Sequence, residues 1–166
     1  KKLRKIFKKI RPDLVIHLAA QSTVNEKIKW VDYYENNVKA TKNILDVMRI
    51  FKIKKLIFSS TASVYKEKNK KISENDKLKP NSKYGKSKLM AENFIKKNRD
   101  INFIILRFFN VCSAIRKPLI GEFHDPETHL LPVSITKLFN NEIVNIFGKN
   151  YKSKDGTCER DYIHIK

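Results

Sequence analysis

Apolar positions alternate between two spacings along the first two-thirds of the chain. Leu3, Ile6, Phe7 and Ile10 fall three and four apart and predict a helix over residues 3–10, which Pro12 and Asp13 end. Leu14-Val15-Ile16-His17-Leu18 is a short, nearly continuous apolar run, the pattern of a strand buried on both faces of a parallel sheet. Helical spacing returns over residues 33–51 through Val38, Ile44, Leu45, Met48 and Phe51. Lys55-Leu56-Ile57-Phe58 reads as a second buried strand, residues 84–97 as a helix, and Asn102 to Leu106 as a third strand. Beyond residue 113 the alternation stops. Pro118, Gly121 and Pro126 mark 114–128 as loop, 130–140 is predicted helical with Pro132 in its first turn, and Glu142 to Phe147 is predicted to be a strand. The closing residues, from Asp161 on, read as a further strand that is cut short.

Strand–helix–strand–helix–strand is the order of an α/β fold, here part of a doubly wound, Rossmann-like parallel sheet. Ligands of such sheets bind beyond the carboxyl ends of the strands. The residues expected there are Ala19-Ala20-Gln21, Ser59-Ser60-Thr61 and Phe109-Asn110. Residues 1–113 are read as the later part of a nucleotide-binding domain, and 114–166 as the start of a smaller substrate-binding domain.

Composition adds exclusions. The 166 residues are 41% hydrophobic, which fits a folded domain, and no apolar run nears the roughly 18 residues of a membrane span. A membrane partner is therefore not expected. The formal charge of +19 would suit a nucleic-acid partner, but the lysines are spread over nearly every segment and no RNA or DNA motif accompanies them. Nucleic acid is not expected as a partner; a small anionic ligand is compatible with the charge. Lys66 to Lys71 reads as a solvated loop. Cys112 and Cys158 make no disulfide framework, which suits a reducing cytoplasm, and with the four histidines they show no metal spacing. The chain begins without Met and has four glycines, none in a phosphate-cradling Gly-x-Gly-x-x-Gly turn. Both ends are read as internal to a longer polypeptide, with that turn lying upstream.

Tyr84-Gly85-Lys86-Ser87-Lys88 is a Tyr-x-x-x-Lys motif. On a helix its ends share a face, and an ammonium beside a phenol favours the phenolate, a group able to take a proton from a sugar hydroxyl. With six Tyr and 29 Lys, chance supplies about one such pair. Tyr162 and Lys166 form a second, but in a strand i and i+4 lie about 13 Å apart. Tyr84 instead opens a helix between two buried strands, with Ser59-Ser60-Thr61 ahead of it, so Tyr162 is taken as structural. His17 is read as a hydrogen-bonded core histidine, Trp30, Tyr33 and Tyr34 as packing residues, and Arg107 as a support beside the site.

Seven segments then match one family in order: Val15 to Ala20, Tyr33 to Val38, Phe58 to Tyr65, Tyr84 to Lys88, Leu106 to Asn110, His124 to Pro132 and Asp155 to His164. The chain resembles the extended short-chain dehydrogenase/reductases, and within them the UDP-hexose 4-epimerases, to which the last two segments are the most specific. The resemblance implies NAD as cofactor and interconversion of UDP-glucose and UDP-galactose through a transient 4-keto sugar. It implies Tyr84 as acid/base, Lys88 as its tuning partner and ribose ligand, and Thr61 as the hydroxyl bonding the reacting sugar oxygen. Ala19, Ala20, Asn37, Ser59 and Phe108 would join them at the cofactor; Asn110, His129, Leu130, Phe147 and Arg160 would hold the UDP-sugar, with Arg160 on the diphosphate. A homodimer is a further implication.

The sequence departs from the family at Lys66, where Gly is usual, at Phe108 for Tyr, at His129 for an Asn of some members, and at Gln21-Ser22-Thr23-Val24. Two alternatives stand beside the leading reading. One is another nucleotide-sugar enzyme, a UDP-N-acetylhexosamine or UDP-pentose epimerase; a dehydratase is disfavoured because Ala62-Ser63, not an acidic pair, follow Thr61. The other is a non-catalytic nucleotide-binding relative. The 166 residues alone are expected to be inactive.

Overall fold

The computed structural model describes residues 1–68, 70–121 and 124–165. Asn69, within the expected loop of 66–71, and Lys166, of the second Tyr-x-x-x-Lys pair, lie outside them. The chain divides into two compact units, Lys1–Phe108 and Phe109–Lys166.

In the first unit, β1 (Val15–His17), β2 (Lys55–Thr61) and β3 (Asn102–Phe108) form a parallel sheet in the order β1-β2-β3. Register pairs Val15 with Leu56, His17 with Phe58, and Thr61 with Phe108. The crossovers are helical, as the spacing predicts. α1 (Lys2–Ile10) precedes β1 and ends where Arg11 turns left-handed at φ 50°, ahead of Pro12. A continuous helix links β1 to β2: α2 (Trp30–Tyr33), a π-helical stretch (Tyr34–Lys39) and α3 (Ala40–Ile50). α4 (Lys83–Lys97) links β2 to β3, and its first turn is capped by the Ser82 hydroxyl, which accepts from the Gly85 N–H at 3.0 Å.

Side chains alternate across the pleat, so each strand has two faces. Leu56, Phe58 and Ser60 point to the face covered by α1, α3 and α4 and are buried with Phe7, Leu45, Met48, Ala91 and Ile95. Ile16, Ile104 and Leu106 on the other face are exposed. The core is thus single-sided within these residues, and it fixes α4 against the sheet.

In the second unit, β4 (Asn110–Cys112) pairs in parallel with β5 (Tyr162–His164), and α5 (Leu130–Phe139) fills the predicted helix. The strand expected from Glu142 to Phe147 does not form. Ile143, Ile146 and Phe147 are 82%, 62% and 86% exposed, and no strand among the described residues pairs with them. An apolar pattern states a preference for the pleat, but a strand needs a neighbour to take its backbone hydrogen bonds. Among the described residues no helix is long and apolar enough to cross a membrane.

Candidate active site

The carboxyl ends of β1 and β2 meet the first turn of α4. Thr61 is the last residue of β2; its hydroxyl accepts from the Ser63 N–H at 3.1 Å and holds the tight turn Ala62–Val64. Against that turn sits Gly85. A Cβ there would stand 2.5 Å from the Ser63 carbonyl oxygen and 3.0 Å from Pro80 Cβ. Only hydrogen fits, and the close approach seats the Tyr84 turn of α4 on the end of β2, where the Thr61 side chain draws the Tyr84 phenol's pKa down. Phe108 is the register neighbour of Thr61 on β3.

Asn37 clamps the β1 end to α4. It is buried in the π-helical stretch, where one extra residue per turn re-aims its side chain. Its Oδ1 accepts from the Gln21 N–H at 2.7 Å; its Nδ2 donates to the Gln21 carbonyl at 3.1 Å and to Ser87 Oγ at 2.8 Å. The Ser87 hydroxyl donates in turn to the Tyr84 carbonyl at 2.7 Å. The Ala19-Ala20-Gln21 loop, Asn37 and the Tyr84 turn therefore form one connected piece. The Tyr33 hydroxyl, donating to the Thr23 carbonyl at 2.6 Å, and Lys83, donating to the Glu26 and Ile28 carbonyls, secure the rest of that loop.

Below Tyr84, Lys88 is buried, its ammonium 4.2 Å above the centre of the Phe58 ring. Burial lowers its pKa to about 8, against the pull of Glu92. The Tyr84 phenol is raised above 10, first by burial and then by the Tyr33 phenol, with the Thr61 hydrogen bond opposing. A lowering by Lys88, expected from the motif, is not among the influences on Tyr84 in this structure; desolvation of the phenolate dominates.

His17 is a hydrogen-bonded core residue, as expected. Thr41 Oγ1 donates to the Asn37 carbonyl at 2.6 Å, so the His17 Nε2 at 3.0 Å must donate to it, which fixes the neutral tautomer. Burial and then Lys88 depress His17 from 6.5 to about 4. Between those values the unfolded chain binds a proton that the folded one does not, so stability rises with pH across the window. Lowering pH from 6.5 to 4 should cost about 3 kcal/mol from this group. Urea unfolding at several pH values, compared with His17→Gln, should show the slope in that window flattened in the variant.

The second unit holds a cavity of about 280 Å³ lined by Asn110, Thr128, His129, Leu130, Cys158, Arg160 and Tyr162. Four residues singled out for the nucleotide sugar are thus brought together. Phe147, the fifth, is not among them and is exposed. Asn110 Nδ2 donates to the Asp161 carbonyl at 2.9 Å, tying β4 to the Arg160 segment.

Several residues escaped the sequence reading. Ser87 and Gly85 lie inside the motif but carry no mark of their own; the signal was that both are small where a helix must touch a strand end. Glu92, fully buried, was passed over as one more charge on a helix. His124, Glu127 and His129 bring ligand atoms within 4.8 Å of one another, a grouping missed when the histidines were read as lacking metal spacing. Glu127 Oε1 there accepts from the Thr128 and His129 N–H groups at 2.7 and 2.8 Å.

A parallel α/β sheet holds its ligands beyond the carboxyl ends of its strands, where Thr61 and the Tyr84 turn of α4 lie. The model of the NAD dependent epimerase/dehydratase family matches residues 1–166, and the chain belongs to that family. It is 42% identical over 159 residues to a UDP-glucose 4-epimerase of Halalkalibacterium halodurans, a match covering 92% of this chain and 48% of that one. Among solved structures it is similar to UDP-glucose 4-epimerase from Brucella ovis in complex with NAD, at 35% identity and TM-score 0.89 over 98% of this chain and 52% of that one. The enzyme from Bifidobacterium longum in complex with NAD+ and UDP gives 32% identity and TM-score 0.87, covering 98% and 51%. The chain spans about half the length of the relatives it matches.

Proposed function

We propose that the full-length protein carrying these residues is an NAD-dependent UDP-hexose 4-epimerase that interconverts UDP-glucose and UDP-galactose. The observation that carries this reading is the seating of the Tyr84–Gly85 turn of α4 on the turn after Thr61, with Lys88 buried one helical turn further along, in a chain 42% identical to a UDP-glucose 4-epimerase. A phenol, a hydroxyl and an ammonium at strand ends fit the hydride-exchanging end of NAD; the four glycines offer no turn for its diphosphate. NAD held there by Ala19, Ala20, Asn37, Ser59 and Lys88 would supply hydride exchange at sugar C4.

The chain's own residues handle the proton. Tyr84 takes it from the C4 hydroxyl and returns it to the same oxygen after the flat 4-keto sugar has turned over. Thr61 holds that oxygen in line with the phenol, and Lys88 supplies positive charge below it. Asn37 and Ser87 keep the first turn of α4 in place. In the second unit, Arg160 would grip the diphosphate with its planar fork while Asn110, His129 and Leu130 line the rest of the cavity.

The test is incubation of the full-length protein with UDP-galactose and quantification of UDP-glucose. Arg160→Met should raise KM by roughly 10- to 100-fold, the worth of a charge-assisted fork, with a smaller change in kcat. Absence of interconversion, with turnover of a UDP-N-acetylhexosamine or UDP-pentose instead, would move the assignment to the neighbouring epimerases.

A further inference from the structure

Glu92 lies two helical turns along α4 from Tyr84 and is fully buried. A carboxylate at such a site is stable only if its oxygens are satisfied. Ser60, next to Thr61 on β2, donates its hydroxyl to Oε1 at 2.5 Å. Arg107 on β3 donates through Nε to Oε1 at 3.0 Å and through Nη2 to Oε2 at 2.7 Å, a two-pronged contact. Lys96 on α4 reaches Oε2 at 3.3 Å from the solvent edge. Arg107 is itself steadied by Tyr65, whose hydroxyl accepts from Nη1 at 2.8 Å and whose ring lies 4.8 Å from the guanidinium. One carboxylate thus touches the carboxyl ends of two strands and the helix that carries the motif. On the same helix, four residues before Glu92, sits the buried ammonium of Lys88.

We propose that Glu92 is a positioning residue for the Tyr84–Lys88 site. Its carboxylate pins the ends of β2 and β3 to α4 and sets a buried negative charge one helical turn from the Lys88 ammonium. This rests on the functional reading above for its consequence in turnover, but not for its electrostatics.

The charges around the pair have been placed. Acting on Lys88 are Glu92 on its own helix, Phe58 on β2, which does not titrate, and His17 on β1, which is neutral above about pH 4. α3 contributes Thr41 to His17. Facing Glu92 are Ser60, Arg107, Lys96 and Lys88. Burial pushes Glu92 up, yet Arg107, Ser60 and Lys96 together hold it below its ordinary value, so it stays ionised through the neutral range. Glu92 is then an anion one helical turn from Lys88 that opposes the lowering burial imposes on it.

The direct experiment is a ¹³Cε-lysine NMR titration of the full-length protein. With Lys88→Arg for assignment, Lys88 should stand out at about 8, well below the roughly 10.4 of an ordinary lysine. In Glu92→Gln, which keeps the shape and removes the charge, its midpoint should fall by about one pH unit. In Lys96→Gln it should rise by a few tenths, because Glu92 is then less offset; Lys96 is part-exposed and its replacement leaves the fold intact. In turnover, the bend in kcat set by Lys88 should follow the same shifts, with kcat falling about tenfold per unit and KM moving less. A midpoint unmoved in Glu92→Gln overturns the proposal, as does Lys96→Gln leaving it unmoved or lower, which decides the matter if Glu92→Gln does not fold. Because the titration needs no substrate, an inactive wild-type protein with these midpoints would sink the epimerase reading and leave Glu92 standing.

Discussion

Tyr84→Phe in the full-length protein is expected to lower UDP-glucose/UDP-galactose interconversion by about 10³-fold, within the range of a positioned acid/base group. The removed atom is the phenolic oxygen whose pKa the Thr61 side chain draws down. The ring remains, with its centroid 6.5 Å from that of Tyr33, so packing is kept and the melting temperature should move little. The loss should therefore appear in kcat with little change in KM. Turnover within a few fold of wild type would take Tyr84 out of the mechanism.

Gly85→Ala sets two effects against each other. In an open helix interior, Ala for Gly stabilises by about 1 kcal/mol. Here the new Cβ would meet the Ser63 carbonyl oxygen at 2.5 Å, a backbone atom that cannot swing aside. Overpacking of this kind costs about 1–3 kcal/mol, and the clash should win. Relief requires α4 to lift from the Ala62–Val64 turn, which parts Tyr84 from Thr61. The expected result is a loss of up to about 2 kcal/mol in urea unfolding, together with a loss of kcat larger than that destabilisation explains. A Gly85→Ala protein more stable than wild type and fully active would show that the approach of helix and turn is not needed.

Where the sequence was legible, short-range pattern was enough. The apolar run from Lys55 to Phe58 and the helical spacing after Tyr84 mark a strand and the helix that follows it, and the strand-end rule then pointed to Ser59-Ser60-Thr61. The resemblance supplied Asn110, His129, Leu130 and Arg160, which the structure gathers at one cavity. What stayed hidden depends on partners distant in sequence. The π-helical turn that aims Asn37 at Gln21 looks like ordinary helix in an apolar pattern. Glu92 is indistinguishable from the exposed acids until Ser60 and Arg107 are seen on it. Residues 142–147 show the converse failure, an apolar pattern with no strand to pair it. The direction of the Tyr84 shift was misread for the same reason: a motif spacing names a charged neighbour, but the extent of burial belongs to the tertiary fold.

The most direct test of the account is the fate of the C4 hydrogen. UDP-glucose carrying deuterium at C4 should be converted by the full-length protein, supplied with NAD, to UDP-galactose that keeps its deuterium at C4. Hydride removed and returned within one site predicts that retention. No UDP-galactose, or UDP-galactose with the label lost to water, would contradict it.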